Sequence, residues 1–150
     1  MAQDVMSRNK DNVRCFFEGV FNQGNLALVD EMLAPNYTYN GHPTAPAATK
    51  AWAGGLRQKF PDLHFTINDL LGEGDQVAIR WTMVGTDQKT QQKMTTSGTN
   101  IITNDAQGRA ISNWQNGGTE PEPVGSSSSG AATASSRPDP RGSSAFPFRF

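Results

Sequence analysis

Apolar residues recur along the first part of the chain at a helical interval. Val13, Phe16, Phe17, Val20 and Phe21 fall at i, i+3, i+4, i+7 and i+8, one stripe of an amphipathic helix predicted over residues 7–23. Ser7 is the expected N-cap and Gly24 the expected left-handed terminator. Asn25 is placed to cap a second, short helix with Leu26, Val29 and Leu33 on one side, and Pro35 stands just past its end, where further winding stops. Residues 37–40 read as a short strand and residues 43–46 as a loop. A third helix is predicted over residues 47–59, with Trp52, Leu56 and Phe60 spaced by four. Gly54 and Gly55 inside it disfavour helix by ~1 kcal/mol each relative to Ala, which suggests close packing against a neighbour.

Beyond Pro61 the period changes to two. Leu63, Phe65 and Ile67 alternate with His64, Thr66 and Asn68; after a turn at residues 72–75, Val77, Ile79, Trp81 and Met83 alternate with Ala78, Arg80, Thr82 and Val84. A polar loop over residues 87–93 leads to a weaker strand at 95–103, a hairpin turn at 104–108 and a last strand at 110–115. Three helices followed by consecutive strands predict an α+β domain, with about three N-terminal helices on one face of a curved antiparallel sheet and room between the layers for an apolar pocket.

Composition sets the boundaries. After Gly118 small and turn-forming residues dominate, and apolar ones are too sparse to offset the entropy of ordering. The expected organisation is a disordered N-terminus over residues 1–6, one domain over 7–118 and a disordered low-complexity tail over 119–150. The chain carries 13 basic and 14 acidic residues, for a net charge of -1, and no basic cluster interleaved with aromatics, so neither nucleic acid nor membrane is expected as a partner. One cysteine, Cys15, forms no internal disulfide, and two histidines with it make no zinc site; no metal or cofactor is expected. The N-terminus lacks a basic region followed by an apolar run, and no apolar stretch approaches the ~20 residues that span a bilayer, so a cytoplasmic protein is the default expectation.

Certain strings carry a resemblance. Residues 60–65 (FPDLHF), residues 73–82 (EGDQVAIRWT), Gly85-Thr86, Ser97-Gly98 and residues 111–114 (ISNW) resemble the central signature of the SnoaL-like polyketide cyclases and ester cyclases, of the nuclear-transport-factor-two-like superfamily. The resemblance covers about residues 7–116 and implies a cone-shaped α+β barrel, often a dimer, with a pocket between helices and sheet and no metal or cofactor. It implies cyclase, isomerase or other lyase-type chemistry in which an acidic residue removes a proton alpha to a carbonyl and polar side chains stabilise the enolate. The chain also departs from the family. Trp114 is followed by Gln115, Asn116, Gly117 and Gly118 where the family carries an acid, and Asn100 and Asn40 stand where histidines are common. The loop over residues 87–93 lacks the usual Gly- and Pro-containing segment, and a Ser/Gly tail replaces the terminal helix. Asn and Gly accept no proton near neutral pH, so the usual base is not at its expected place.

The candidate catalytic residues are His42, whose intrinsic pKa suits acid–base work, and Asn40 and Asn100, which can donate hydrogen bonds to an enolate. Each has a plainer reading, as an exposed loop histidine and as ordinary strand residues. Tyr39, Trp52, Trp81 and Trp114 are the candidate substrate-binding residues, or simply core. Asp62 and Asp75 read as turn formers, Arg80 as an anion binder or a partner for a carboxylate within the sheet, and Cys15 as no nucleophile, since no base is evident beside it. The expectation is a cofactor-independent cyclase or isomerase for a small hydrophobic carbonyl compound, impaired by the missing acid. The alternatives are a silent small-molecule-binding module and a dimerisation scaffold, with a homodimer as the expected assembly.

Overall fold

Asp4, rather than Ser7, caps the first helix. Its carboxylate accepts the Ser7 backbone N–H at 3.2 Å, so α1 runs Val5–Phe17 and Ser7 lies inside its first turn. The computed structural model describes residues 4–125, and the expectations for residues 1–3 and 126–150 lie outside the described residues. The predicted stripe is buried throughout. From Glu18 to Asn22 the chain widens into a π-helical turn, whose last carbonyls, of Phe21 and Asn22, accept from the Arg57 guanidinium at 2.6 and 3.2 Å. Gly24 then ends the winding at φ 71°.

Helix α2 is Ala27–Met32, and no side chain caps it; Asn25 offers only its backbone carbonyl, to the Leu28 N–H. Leu33 and Pro35 belong to strand β1, Leu33–Tyr39, rather than to the end of the helix. Asn40 and Gly41 turn the chain at φ 49° and 85°, the geometry of a tight hairpin turn, into β2, His42–Pro43. Helix α3 is Pro46–Lys59, with proline at its start. The expected close approach at Gly54 and Gly55 is absent: the space a Cβ would take meets only Leu26, at 3.8 Å, at Gly54 and nothing within 4 Å at Gly55.

The remaining strands are β3 (His64–Glu73), β4 (Gln76–Thr86), β5 (Lys93–Asn104), β6 (Ala110–Gly117) and β7 (Glu122–Pro123). They outrun the predicted strands because ladder pairing holds residues whose own pattern is weak; β3 continues to Glu73 through a bulge between Ile67 and Asp69. The sheet order is β2-β1-β6-β5-β4-β3, with β7 pairing β5 beyond residue 118. The sheet is mixed rather than wholly antiparallel, since β1 and β6 run parallel. The long stretch of chain between them, α3 and four strands, permits a parallel pairing that no hairpin could make.

The core lies between the sheet and the helices. Phe17, Phe21, Phe65 and Trp81 stack face to face, with centroids 5.2 Å apart for Phe17–Phe65 and 4.9 Å for Phe65–Trp81. Such pairs contribute roughly 0.5–1.5 kcal/mol beyond area burial. The Asn22 amide accepts from the Phe65 N–H at 2.6 Å and donates to the Phe65 carbonyl at 2.9 Å, as a neighbouring strand would. Edge strand β3 is thus blunted where it would otherwise present open backbone groups. Asp62 of the FPDL string ties the far end of β4, accepting from the Thr86 N–H at 2.6 Å and its hydroxyl at 2.8 Å.

Candidate functional site

Alternation along β4, β5, β6 and β1 points Trp81, Asn100, Asn113 and Tyr37 at the helices, and side-chain hydrogen bonds join them into one row. Trp81 Nε1–H donates to Asn100 Oδ1 at 2.6 Å, Asn100 Nδ2 to Asn113 Oδ1 at 2.8 Å, and Asn113 Nδ2 to the Tyr37 hydroxyl at 3.1 Å. Asn100 Nδ2 also reaches Gln115 Oε1 at 3.4 Å. None of the first four is more than 4% exposed. In so dry a setting an unpaired member would cost about 1–3 kcal/mol, so the row holds its own geometry.

Trp81 needs room to take its place in the row. Gly98 and Gly118 supply it: a Cβ at either would come 2.8 or 2.5 Å from the indole.

At the Tyr37 end the interior is not filled. A cavity of about 20 Å³ lies between α1, the end of α2, β1, β5 and β6, with Val13, Phe16, Phe17, Met32, Leu33 and Ile102 as apolar walls and Tyr37, Asn12, Asn104 and Asn113 as polar ones. That is room for about one water. The Tyr37 hydroxyl accepts from Asn113, and its own proton has no acceptor among the described residues. Burial pushes the Tyr37 phenol well above its ordinary pKa against the opposing pull of the Asn113 bond, so it remains a neutral donor. Asn104 Nδ2 donates to the Gly108 carbonyl at 3.2 Å, while its buried Oδ1 has no partner. No histidine or carboxylate lines the cavity. A larger concavity, of about 400 Å³, is an open polar groove beside residues 117–122, bordered by Thr82, Ser97, Glu120 and Glu122. Glu120 is the first carboxylate after Trp114, and it is exposed. The inner cavity is the better candidate, because it is walled by the buried, unpartnered Asn104 Oδ1 and by the Tyr37 hydroxyl, whereas no buried unpartnered side-chain atom among the described residues borders the groove.

The sequence-derived candidates fall into two sets. Asn100 and Trp81 are bonded to each other inside the cone, Tyr39 is buried in the same core, and Trp52 packs on it edge-to-face against Phe21 at 5.5 Å. The amide of Asn100, expected to be available to an enolate, is spent on Trp81, Asn113 and Gln115. Asn40, His42 and Trp114 lie elsewhere. Asn40 holds the β1–β2 turn, its Oδ1 accepting from the Gln115 N–H at 2.8 Å; His42 is exposed on β2; and Trp114 is 53% exposed on the outer face of the sheet, its ring beside Gly41. The physical reason is register: Trp114 follows the inward Asn113 and so points outward, and the hairpin turn carries His42 to the edge. Tyr37, Asn104 and Asn113 were passed over. Strand periodicity carries a signal for two of them: Tyr37 lies two residues before Tyr39 on the same face of β1, and Asn113 precedes the outward Trp114 and so faces inward on β6.

Other charged groups serve the scaffold. Arg80 pairs with Asp69 at 2.5 Å on the outer face, with both side chains more than half exposed, so the pair adds little stability. Asp87 organises its loop, accepting from the Lys89 and Thr90 N–H groups and pairing with Lys59 at 3.2 Å; the two backbone bonds, then Lys59, hold its carboxyl below the usual range. Among the described residues no group of three or more His, Cys, Asp or Glu is placed to hold a metal, and no helix is long and apolar enough to cross a membrane.

Comparison with known proteins gives this geometry a family. Residues 11–116 match the family described as SnoaL-like polyketide cyclase. The fold is similar to that of a protein from Acidithiobacillus ferrooxidans assigned as a polyketide cyclase (TM-score 0.66, 26% identity, covering 77% of this chain and 92% of that one). It is also similar to TsrD from Streptomyces laurentii (0.68, 18%, 78% and 92%) and to IdmH from Streptomyces antibioticus, likewise assigned as a polyketide cyclase (0.66, 22%, 73% and 91%). The last two, at such identities, show a common fold. No curated protein matches the chain. With the matched span covering both the helical layer and the sheet that carries the buried polar row, the chain belongs to the SnoaL-like polyketide cyclase family, with the α+β cone fold of the nuclear-transport-factor-two-like proteins.

Proposed function

We propose that the domain performs cofactor-independent proton-transfer chemistry, of the cyclase or isomerase type, on a small hydrophobic carbonyl compound bound in the inner cavity. One observation carries this reading: a buried, neutral Tyr37 hydroxyl, oriented by Asn113, keeps a proton for a ligand at an otherwise apolar wall. A carbonyl oxygen accepting that proton is polarised, and the developing enolate is stabilised where water is excluded. The cavity supplies polarisation without a base of its own, and general-base help is worth about 100- to 10,000-fold, so turnover is expected to be weak.

The test is deuterium exchange alpha to the carbonyl of a small 1,3-diketone, followed by NMR with the full chain. Exchange above the buffer rate, reduced about 100-fold or more by Tyr37→Phe, is the expected result. His42→Ala should leave it unchanged, because His42 is exposed and not on the cavity wall. Exchange at the buffer rate overturns catalysis, and binding without exchange selects the silent ligand-binding module.

A second reading concerns assembly. Leu71, Ala78, Ile101 and Trp114 pair in register across β3, β4, β5 and β6, and Leu71, Ile101 and Trp114 are 65%, 47% and 53% exposed. This apolar row favours a homodimer through the outer face. Sedimentation should show a dimer that Ile101→Lys dissociates; a monomeric parent chain overturns the idea.

A further inference from the structure

Resting on the reading of the inner cavity above, we propose that Tyr37 and Asn104 are its specificity-determining pair and that Met32 is the side chain that opens it. The site then selects a small molecule carrying an oxygen function over the hydrocarbon of the same shape.

The argument starts from what the cavity wall leaves unsatisfied. Asn104 is 4% exposed, and its amide is anchored through Nδ2 to Gly108, which leaves Oδ1, an acceptor only, without a partner. Tyr37, 3% exposed, is anchored through its oxygen by Asn113, which leaves a donor. One wall of a small apolar cavity therefore offers one acceptor and the other one donor. A hydroxyl can satisfy either, and a carbonyl can satisfy Tyr37. A hydrocarbon satisfies neither and leaves both groups buried and unpaired, a loss that discriminates strongly against it. A second buried amide with one unpaired atom among the described residues, Asn9 through Nδ2, lies on α1 one turn before Val13, on the same inward stripe.

The cavity as it stands admits a water, so a ligand must displace a wall. Phe17 is stacked on Phe65, Leu33 and Ile102 are buried on strands, and Asn12 is tied to the Gly108 carbonyl at 3.0 Å. Met32 differs from these. It is half-buried, ends α2, and carries an unbranched thioether that changes rotamer readily.

Phenol and toluene, nearly equal in shape, are the probes, titrated into the full chain by NMR. A plain apolar cavity stays dry and takes up hydrocarbon, so it favours toluene; the proposed pair favours phenol. Met32→Ala should raise phenol affinity about 10-fold or more, Met32→Val should raise it less, and phenol should outbind toluene by about 10-fold in both. Adding Tyr37→Phe or Asn104→Leu should reduce that advantage to below about 3-fold. Toluene binding as well as phenol, or a phenol advantage that survives both added substitutions, overturns the pair. Phenol affinity unmoved in both Met32 variants overturns the opening role. Turnover does not enter this test. Lost deuterium exchange with the phenol preference intact overturns only the catalytic reading, and intact exchange with no preference overturns only the pair.

Discussion

The interior of the cone has two unlike halves. On the β3–β4 side, Phe17, Phe21, Phe65 and Trp81 fill the space ring against ring, and the one polar atom among them, Trp81 Nε1, is paired with Asn100. On the β1–β6 side, the walls stop short of each other, and Asn104 Oδ1 and the Tyr37 proton have no partner among the described residues. The row from Trp81 to Tyr37 connects the halves, from the stacked rings at one end to the small cavity at the other. The difference teaches that packing quality and chemical availability oppose each other within one core. The filled half holds the fold, and the underfilled half is where the proposed chemistry is placed.

Four substitutions or conditions break or sharpen that contrast. Phe65→Ala, in the filled half, should lower unfolding free energy by ~3–5 kcal/mol in urea titrations, whereas half-buried Met32→Ala should cost no more than ~2 kcal/mol. Equal losses would erase the distinction. Gly118→Ala comes next, at roughly 2–4 kcal/mol, because it meets both a φ of 78° and the Trp81 ring 2.5 Å from its Cβ. For the same reason an acid cannot be placed at that position without displacing Trp81. Tyr37→Phe should lower stability by ~1–3 kcal/mol, since it leaves the buried Asn113 Nδ2 without its acceptor, while it removes the deuterium exchange. A much larger loss of stability would make Tyr37 a structural residue first.

The smallest effect is in acid. The Thr86 N–H, then its hydroxyl, hold the Asp62 carboxyl below its ordinary value. Burial pushes Asp105 up, but bonds from the Arg109 N–H and guanidinium and the Gln107 N–H outweigh it and leave it lowered. Groups so lowered contribute stability above the unfolded value of about 4, and that contribution fades as pH falls through the folded value. The melting temperature should therefore drop as pH falls from about 5 through the folded values, and Asp62→Asn should shrink the drop. An unchanged drop would show that Asp62 is not linked to folding.

Much of the fold was legible because its signals are local. The Val13–Phe21 stripe, the change of period after Pro61 and Gly24 as terminator all follow from side-chain spacing within one element, and each is found in place. Others were legible and missed. Asn40-Gly41 is a strong hairpin signal, and the turn it makes carries His42 onto an exposed edge strand. The parallel β1–β6 pair was not legible, since nothing in either strand names a partner separated by a helix and four strands.

The sequence alone determined which side of each element faces inward, because helix and strand periodicity depend only on neighbours along the chain. It thereby placed Trp81 and Asn100 inside, and it showed that residues 115–118 carry no acid. Tertiary structure decided what those inward residues do. Asn100 is spent on Trp81 and Asn113, whereas Tyr37 and Asn104, on strands set in one sheet by pairing at long range, are left with hydrogen-bonding capacity at a common cavity. Whether a buried polar group is satisfied depends on its neighbours in space, and those are fixed only once strand order and register are set.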